Sequence, residues 1–323
     1  MHTIATPALW GGFTLLVLAL VALDLGVFQR KAHRIGLKEA AIWSVIWVLL
    51  SALFNVFVWR EFGKDRGLEF TTGYLIEKAL AVDNLFVFAV VFGYFAVPAR
   101  FQQRVLLWGI FGALVMRAIF IGLGAALLAR FHFVLYVFGG LLILTGIRLV
   151  TQKEHGVDPE RNPVVRAFRR LVPMTDGYRE GHFTVKEGGK RLATPLLLVL
   201  VVIEASDVVF AIDSIPAIFA VTEDPFIVYT SNIFAILGLR SMYFLLAGVI
   251  ERFYLLKYGL ALVLVFVGTK MLLSDVFKIP IAVSLSVVLG LVACTVAASL
   301  LFPRRSRPRS DHPEFPPGAS LKH

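Results

Sequence analysis

Three carboxylates, Glu204, Asp207 and Asp213, stand inside an apolar stretch from about Thr194 to Phe219, in the run EASDVVFAIDSIP. An ionised group at membrane depth costs roughly 2.5–3.5 kcal/mol on insertion scales. Something must offset that cost: a bound cation, a basic partner or a water-filled path. A second stretch, EKALAVDNLF, repeats the theme with Glu77 and Asp83. Asp207 and Asp213 are six apart, as are Glu77 and Asp83, and a small polar residue, Ser214 or Asn84, follows each second Asp. With Asn84, Ser206 and Ser214 alongside, these are hard oxygen donors suited to Mg²⁺, Mn²⁺ or Ca²⁺. Zinc or copper would usually bring His or Cys, and all seven histidines lie in loops, tails or the edge of a span. A purely structural account instead pairs the carboxylates with Arg117 and Arg240, near the middles of two other spans. Both can hold in turn, the arginines neutralising the site once a cation has left.

Helices must position these groups. On an ideal helix, residues six apart differ by about 120° in azimuth, whereas residues seven apart nearly coincide. Glu77 therefore aligns with Asn84, and Asp207 with Ser214. If the two acidic helices cross antiparallel, Asp83 comes level with Asp207 and Glu77 with Asp213, the two levels lying roughly 9 Å apart. Pro216 cannot donate to the carbonyl of Ile212, so local unwinding is expected there, reorienting Asp213. Glu204, three residues before Asp207, is expected to serve as a ligand or proton carrier on the cytoplasmic side. Lys78 is expected to snorkel to the interface, and Asp24 to be an interfacial charge.

With 58% hydrophobic and 17% charged residues and a mean hydropathy of +0.79, the chain reads as a membrane protein. The formal charge of +10 sits mostly in loops beside the bilayer, so nucleic acid is not the expected partner. Cys294 is the single cysteine, which excludes an intrachain disulfide or a CxxC centre. The first apolar run reads as a retained helix rather than a cleaved peptide. Nine spans are expected, approximately 9–28, 39–59, 70–96, 103–129, 131–150, 194–219, 226–250, 254–273 and 280–302. Leaving aside Lys78, Arg117 and Arg240 within spans, 23 Lys and Arg fall in loops or span edges on one side and six on the other. The positive-inside rule then puts the N-terminus in the periplasm and the C-terminus in the cytoplasm, in an inner membrane. Residues 1–302 form one transmembrane domain. Its cytoplasmic loop, about 151–193, reads as a solvated connector with a short surface helix near 163–171, and 303–323 as a disordered tail.

Spans 3–5 and 6–8 resemble each other. FGALVMR (111–117) matches FAILGLR (234–240), and each unit closes near a Gly–Thr pair, Thr145-Gly146 or Gly268-Thr269. Three crossings per unit force opposite orientations, giving an inverted repeat, whose interface commonly holds a midplane transport site.

The chain resembles the TerC/Alx family of integral membrane proteins. The resemblance covers residues 9–302 and rests on LDLGVFQRKAHRIGLKEA (23–40), TGYLIEKALAVDNLFVF (72–88), WGIFGALVMRAIFI (108–121), GGLLILTGIRLV (139–150) and the long run 204–246. It implies manganese export, with Mn²⁺ as substrate and no resident cofactor. The family's acidic intramembrane residues map onto Glu77, Asp83, Glu204, Asp207 and Asp213. No GxxxxGK[ST] loop occurs, so the expectation is a secondary transporter coupled to protons rather than ATP, and not an enzyme. The alternative within the same family is a membrane redox or assembly factor.

Overall fold

The structure, a computed structural model, describes residues 3–28, 36–131, 133–151, 163–246, 255–277 and 279–301, leaving the side chains of 24–28, 83 and 213 outside the description. The described chain is almost entirely helical: α1 (Pro7–Phe28), α2 (Leu37–Phe62), α3 (Lys64–Tyr94), α4 (Ala99–Arg130), α5 (Val134–Thr151), α6 (Pro163–Leu171), α7 (Pro195–Phe219), α8 (Pro225–Leu237), α9 (Leu239–Leu246), α10 (Leu256–Leu272) and α11 (Ile281–Leu301). A single antiparallel hairpin, β1 (Thr184–Glu187) and β2 (Lys190–Ala193), precedes α7. Among the described residues, α2, α4, α5, α7 and α11 are long and apolar enough to cross a bilayer, and Pro7–Leu23 and α8 are apolar but shorter. This is an all-α, multi-pass membrane protein.

Local chemistry sets the joints. Gly63, at φ +93°, turns α2 into α3, a conformation costly for any residue with a Cβ. Pro195 and Pro225 open α7 and α8, where the missing N–H has no helical partner to lose. The Asp224 side chain caps α8 by accepting from the N–H of Phe226 at 2.9 Å. The same carboxylate accepts from Thr3 Oγ1 and from the N–H of Ile4, tying the N-terminal segment onto α8.

Two antiparallel pairs frame the interior. Between α5 and α10 the backbones touch. A Cβ on Gly268 would lie 2.7 Å from the Gly139 carbonyl oxygen, and one on Gly139 would lie 3.0 Å from that of Gly268. Seven residues along, a Cβ on Gly146 would lie 2.8 Å from the carbonyl oxygen of Ala261. Between α3 and α7, Asn84 meets Asp207, and eleven residues back along α3 Gly73 lies against Ile218, eleven residues on along α7.

The structure corrects three expectations. α7 runs unbroken through Pro216 to Phe219, because the helix tolerates the lost donor where its neighbours pack it on several sides. The interruption occurs instead in the seventh expected span, which divides into α8 and α9 at Gly238. The 151–193 segment is more than a solvated connector where it is described. Val165 of α6 is buried, and Phe168, Met174, Tyr178 and Phe183 pack against the core cluster that includes Phe101 and Leu196. The Tyr178 hydroxyl donates to the carbonyl of Phe95 at 2.7 Å, and burial pushes its pKa up to about 12, so it remains a donor. Residues 303–323 lie outside the described residues.

The α5–α10 contact leaves no space for a methyl group. Gly268→Ala must push against a carbonyl rather than a flexible side chain, and overpacking of this kind costs about 1–3 kcal/mol. The expected outcome is a lower unfolding temperature in detergent than wild type. Gly290→Ala, with nothing within 4 Å of its Cβ position, should show no such loss.

A buried arginine among oxygens in the membrane interior

Seven-residue spacing brings Glu77 and Asn84 to one face of α3, and Asp207 and Ser214 to one face of α7. The antiparallel crossing then sets these faces against each other. Asn84 Nδ2 donates to Asp207 Oδ1 at 3.3 Å. One level away, the guanidinium of Arg117, from α4, lies between the helices. Its NH1 is 2.5 Å from Glu77 Oε1, 2.8 Å from Ser214 Oγ and 2.5 Å from Asn232 Oδ1. Its NH2 is 3.5 Å from Asp207 Oδ1, a charge contact rather than a good hydrogen bond. Every residue of this cluster is at most 5% exposed.

The cluster is not fully satisfied. NH1 carries two hydrogens and faces three oxygens. Glu77 Oε2, Asn84 Oδ1 and Asp207 Oδ2 are buried acceptors without a hydrogen-bond partner, as are the donors Arg117 Nε and Asn232 Nδ2. An unpartnered buried polar group costs about 1–3 kcal/mol, so these oxygens are held in a costly arrangement. A cavity of about 70 Å³ lies beside Asn84, Arg117 and Ser214, lined also by Thr145 and Phe210 among others. It is polar on one side and large enough for water. A smaller cavity of about 20 Å³ lies across Asp207, bounded by Phe88, Gly109, Ile203 and Arg240.

The structure thus brings together Glu77, Asn84, Asp207, Ser214 and Arg117. Arg240 is buried on the wall of the smaller cavity with Asp207. Glu204 stands apart, its carboxylate against Gly112 of α4. Ser206 turns away from the cluster, its hydroxyl donating to the carbonyl of Val202 in its own helix at 2.8 Å. Asp83 and Asp213 fall on α3 and α7 next to Asn84 and Ser214, with side chains outside the description. Among the described residues, no three Asp, Glu, His or Cys groups converge on one point.

Two findings were not anticipated. Asn232, fully buried, is a direct partner of Arg117, and its signal was the polar triplet Thr230-Ser231-Asn232 inside an apolar span. Lys78 does not snorkel. Its ammonium donates to the Ala235 carbonyl at 3.0 Å, lies 5.6 Å from the Tyr74 ring centroid, and occupies the space beside Gly238. The break between α8 and α9 leaves carbonyls without intrahelical partners, and that unmet acceptor is a stronger attraction than the distant interface.

Comparison with known proteins places this architecture. The Integral membrane protein TerC family matches residues 62–307. An uncharacterized membrane protein of Myxococcus xanthus, STKORF319, is 55% identical over 96% of this chain and 97% of its own length. A protein of Escherichia coli strain K12, provisionally named membrane-bound redox modulator Alx, is 52% identical over 91% of this chain and 95% of its own. A membrane protein of Rickettsia felis is 40% identical over 90% of this chain. No solved structure matches. The chain belongs to the TerC family of integral membrane proteins.

Proposed function

We propose that the protein is a secondary transporter that exports divalent manganese from the cytoplasm across the inner membrane, in exchange for protons. The substrate site is the carboxylate cluster between α3 and α7, with Glu77, Asn84 and Asp207 as described donors and Asp83, Asp213 and Glu204 completing the acidic set. The observation that carries the reading is the group of unpartnered buried oxygens, Glu77 Oε2, Asn84 Oδ1 and Asp207 Oδ2, around the Arg117 guanidinium. A guanidinium nitrogen held by oxygens of three helices stands where a hard cation finds ligands. Arg117 then acts as the counter-charge that the cation displaces. Manganese itself comes from the family resemblance; the donors specify only a hard divalent cation.

The architecture we propose has nine spans, with spans 3–5 and 6–8 as inverted copies and the N-terminus in the periplasm. The antiparallel pairings of α3 with α7 and of α5 with α10 support it, since corresponding members of an inverted repeat meet this way. Reporter fusions at Lys186 and after Arg309 should read cytoplasmic, and one at Lys64 periplasmic. A periplasmic signal after Arg309 would remove both the span count and the inversion.

A redox role, after the name carried by the E. coli relative, is the second reading. A dithiol–disulfide cycle within one chain needs two cysteines, and this chain has only Cys294, exposed on α11. Such a role would need another protein's thiols.

Substitution at Asp207 separates transport from a purely structural ion pair. Asp207→Asn removes a charge while leaving Arg117 its closer partner, Glu77. The variant should reach the membrane at wild-type levels and lose Mn²⁺ transport in vesicles of purified protein, as should Asp83→Asn and Asp213→Asn. Normal transport by all three would leave the cluster as a structural bridge.

Coupling follows from charge. When the cation leaves, the acidic set needs replacement positive charge, and the arginines cover only part of it. In vesicles at clamped voltage, an imposed pH gradient should drive concentrative Mn²⁺ movement, and an ionophore that collapses the gradient should stop it. Concentrative transport without any pH gradient would reassign the coupling to another ion or to the membrane potential.

A further inference from the structure

Glu204 has no place in the Arg117 cluster, yet its surroundings are specific. It precedes Asp207 by three residues on α7, roughly 4.5 Å along the axis and on nearly the same face. Opposite it, α4 presents Gly109 and Gly112, also three apart. A Cβ built on Gly112 would overlap the whole Glu204 carboxylate, both oxygens included. One built on Gly109 would lie 4.0 Å from Glu204 Oε1 and 3.5 Å from Ile203. Elsewhere on the same helix, Gly122 has nothing within 4 Å of its Cβ position. A glycine inside a helix is about 0.5–1 kcal/mol less favourable than alanine, so Gly112 does not serve helix stability. The notch it leaves is filled by a carboxylate. Gly109, beside that carboxylate, also lines the small cavity shared by Asp207 and Arg240, which makes the notch the neighbour of the site.

We propose that Gly112 is a positioning residue for Glu204. The notch holds the carboxylate at the cytoplasmic approach to Asp207, as the first ligand an outgoing cation meets. From there the side chain swings toward Asp207 and passes the cation on. Gly112 touches no cation itself. The proposal rests on the transport reading above and assigns that reading its access step.

The obstacle in Gly112→Ala is the far end of a flexible side chain, so the variant should fold at least as well as wild type. Its Mn²⁺ transport in vesicles should show a KM raised on the order of ten-fold, the usual scale for disturbing a ligand's support, with kcat little changed. Gly122→Ala should match wild type. Glu204→Asp shortens the side chain and relieves the overlap, so adding Gly112→Ala in that background should cost little more, a non-additive cycle. An unchanged KM in Gly112→Ala, equal losses in the two glycine variants, or additive losses would each overturn the proposal. A measurement without transport keeps the two readings distinct. Labelling of Glu204 by dicyclohexylcarbodiimide in membranes, followed by mass spectrometry, should be faster in Gly112→Ala than in Gly122→Ala, because the displaced carboxyl loses its shelter. Equal or slower labelling removes the notch, whereas a wild type that moves no Mn²⁺ but shows faster labelling in Gly112→Ala removes the access role and the transport reading while leaving the notch.

Discussion

A guanidinium buried in the interior of a membrane protein must be surrounded by acceptors, and Arg117 draws four helices together to meet that demand. Glu77 comes from α3, Ser214 and Asp207 from α7, and Asn232 from α8, all converging on α4. The requirement fixes register as well as proximity. Sliding α3 past α7 by one residue would rotate its polar face by about 100° and leave both Glu77 and Asn84 against hydrocarbon side chains. Buried ion pairs are weak devices for stability, since well-packed apolar residues of similar volume often do as well or better. An arrangement this costly, with unpartnered oxygens left over, fits a site that exchanges occupants better than it fits a brace.

Around that centre the structure divides into stiff and interruptible parts. The backbone contact of α5 with α10 through Gly139, Gly146 and Gly268 joins two helices without intervening side chains. The α8–α9 element is the opposite case. Its ladder is interrupted at Gly238, just before Arg240, and Lys78 of α3 satisfies the Ala235 carbonyl there. Lys78 follows Glu77 directly, so the helix carrying the site and the helix break are tied by adjacent residues.

Much of this was legible in the sequence because apolar surroundings make polar residues conspicuous. Glu77, Asn84, Asp207, Ser214 and Arg117 were readable from residue type, and their meeting follows from seven-residue spacing plus an antiparallel crossing. Other features depended on what no single segment contains. Lys78 looked like a snorkelling cation because its partner is a backbone carbonyl 157 residues away, freed by the break at Gly238. Pro216 looked like the interruption, yet α7 runs unbroken through it, and Gly238, a milder residue, is where the helix parts. The 151–193 segment looked like a solvated connector with one short surface helix because its few apolar residues are scattered in sequence, although Val165, Met174 and Phe183 reach the same core. The notch at Gly112 could not be read at all, since a glycine declares its purpose only when its neighbour across the interface is known.

Charge arithmetic closes the argument. Among the described side chains that touch Arg117, Glu77 and Asp207 supply two negative charges and the arginine one positive. A single divalent cation would balance the pair; Arg117 balances half of it. The neutral partners Asn84, Ser214 and Asn232 add donors and acceptors without adding charge, so they hold either occupant without changing the balance. On the transport reading proposed above, a divalent cation would supply the charge that the arginine leaves unbalanced. Glu204, by contrast, is seated away from the arginine, against the bare backbone of Gly112.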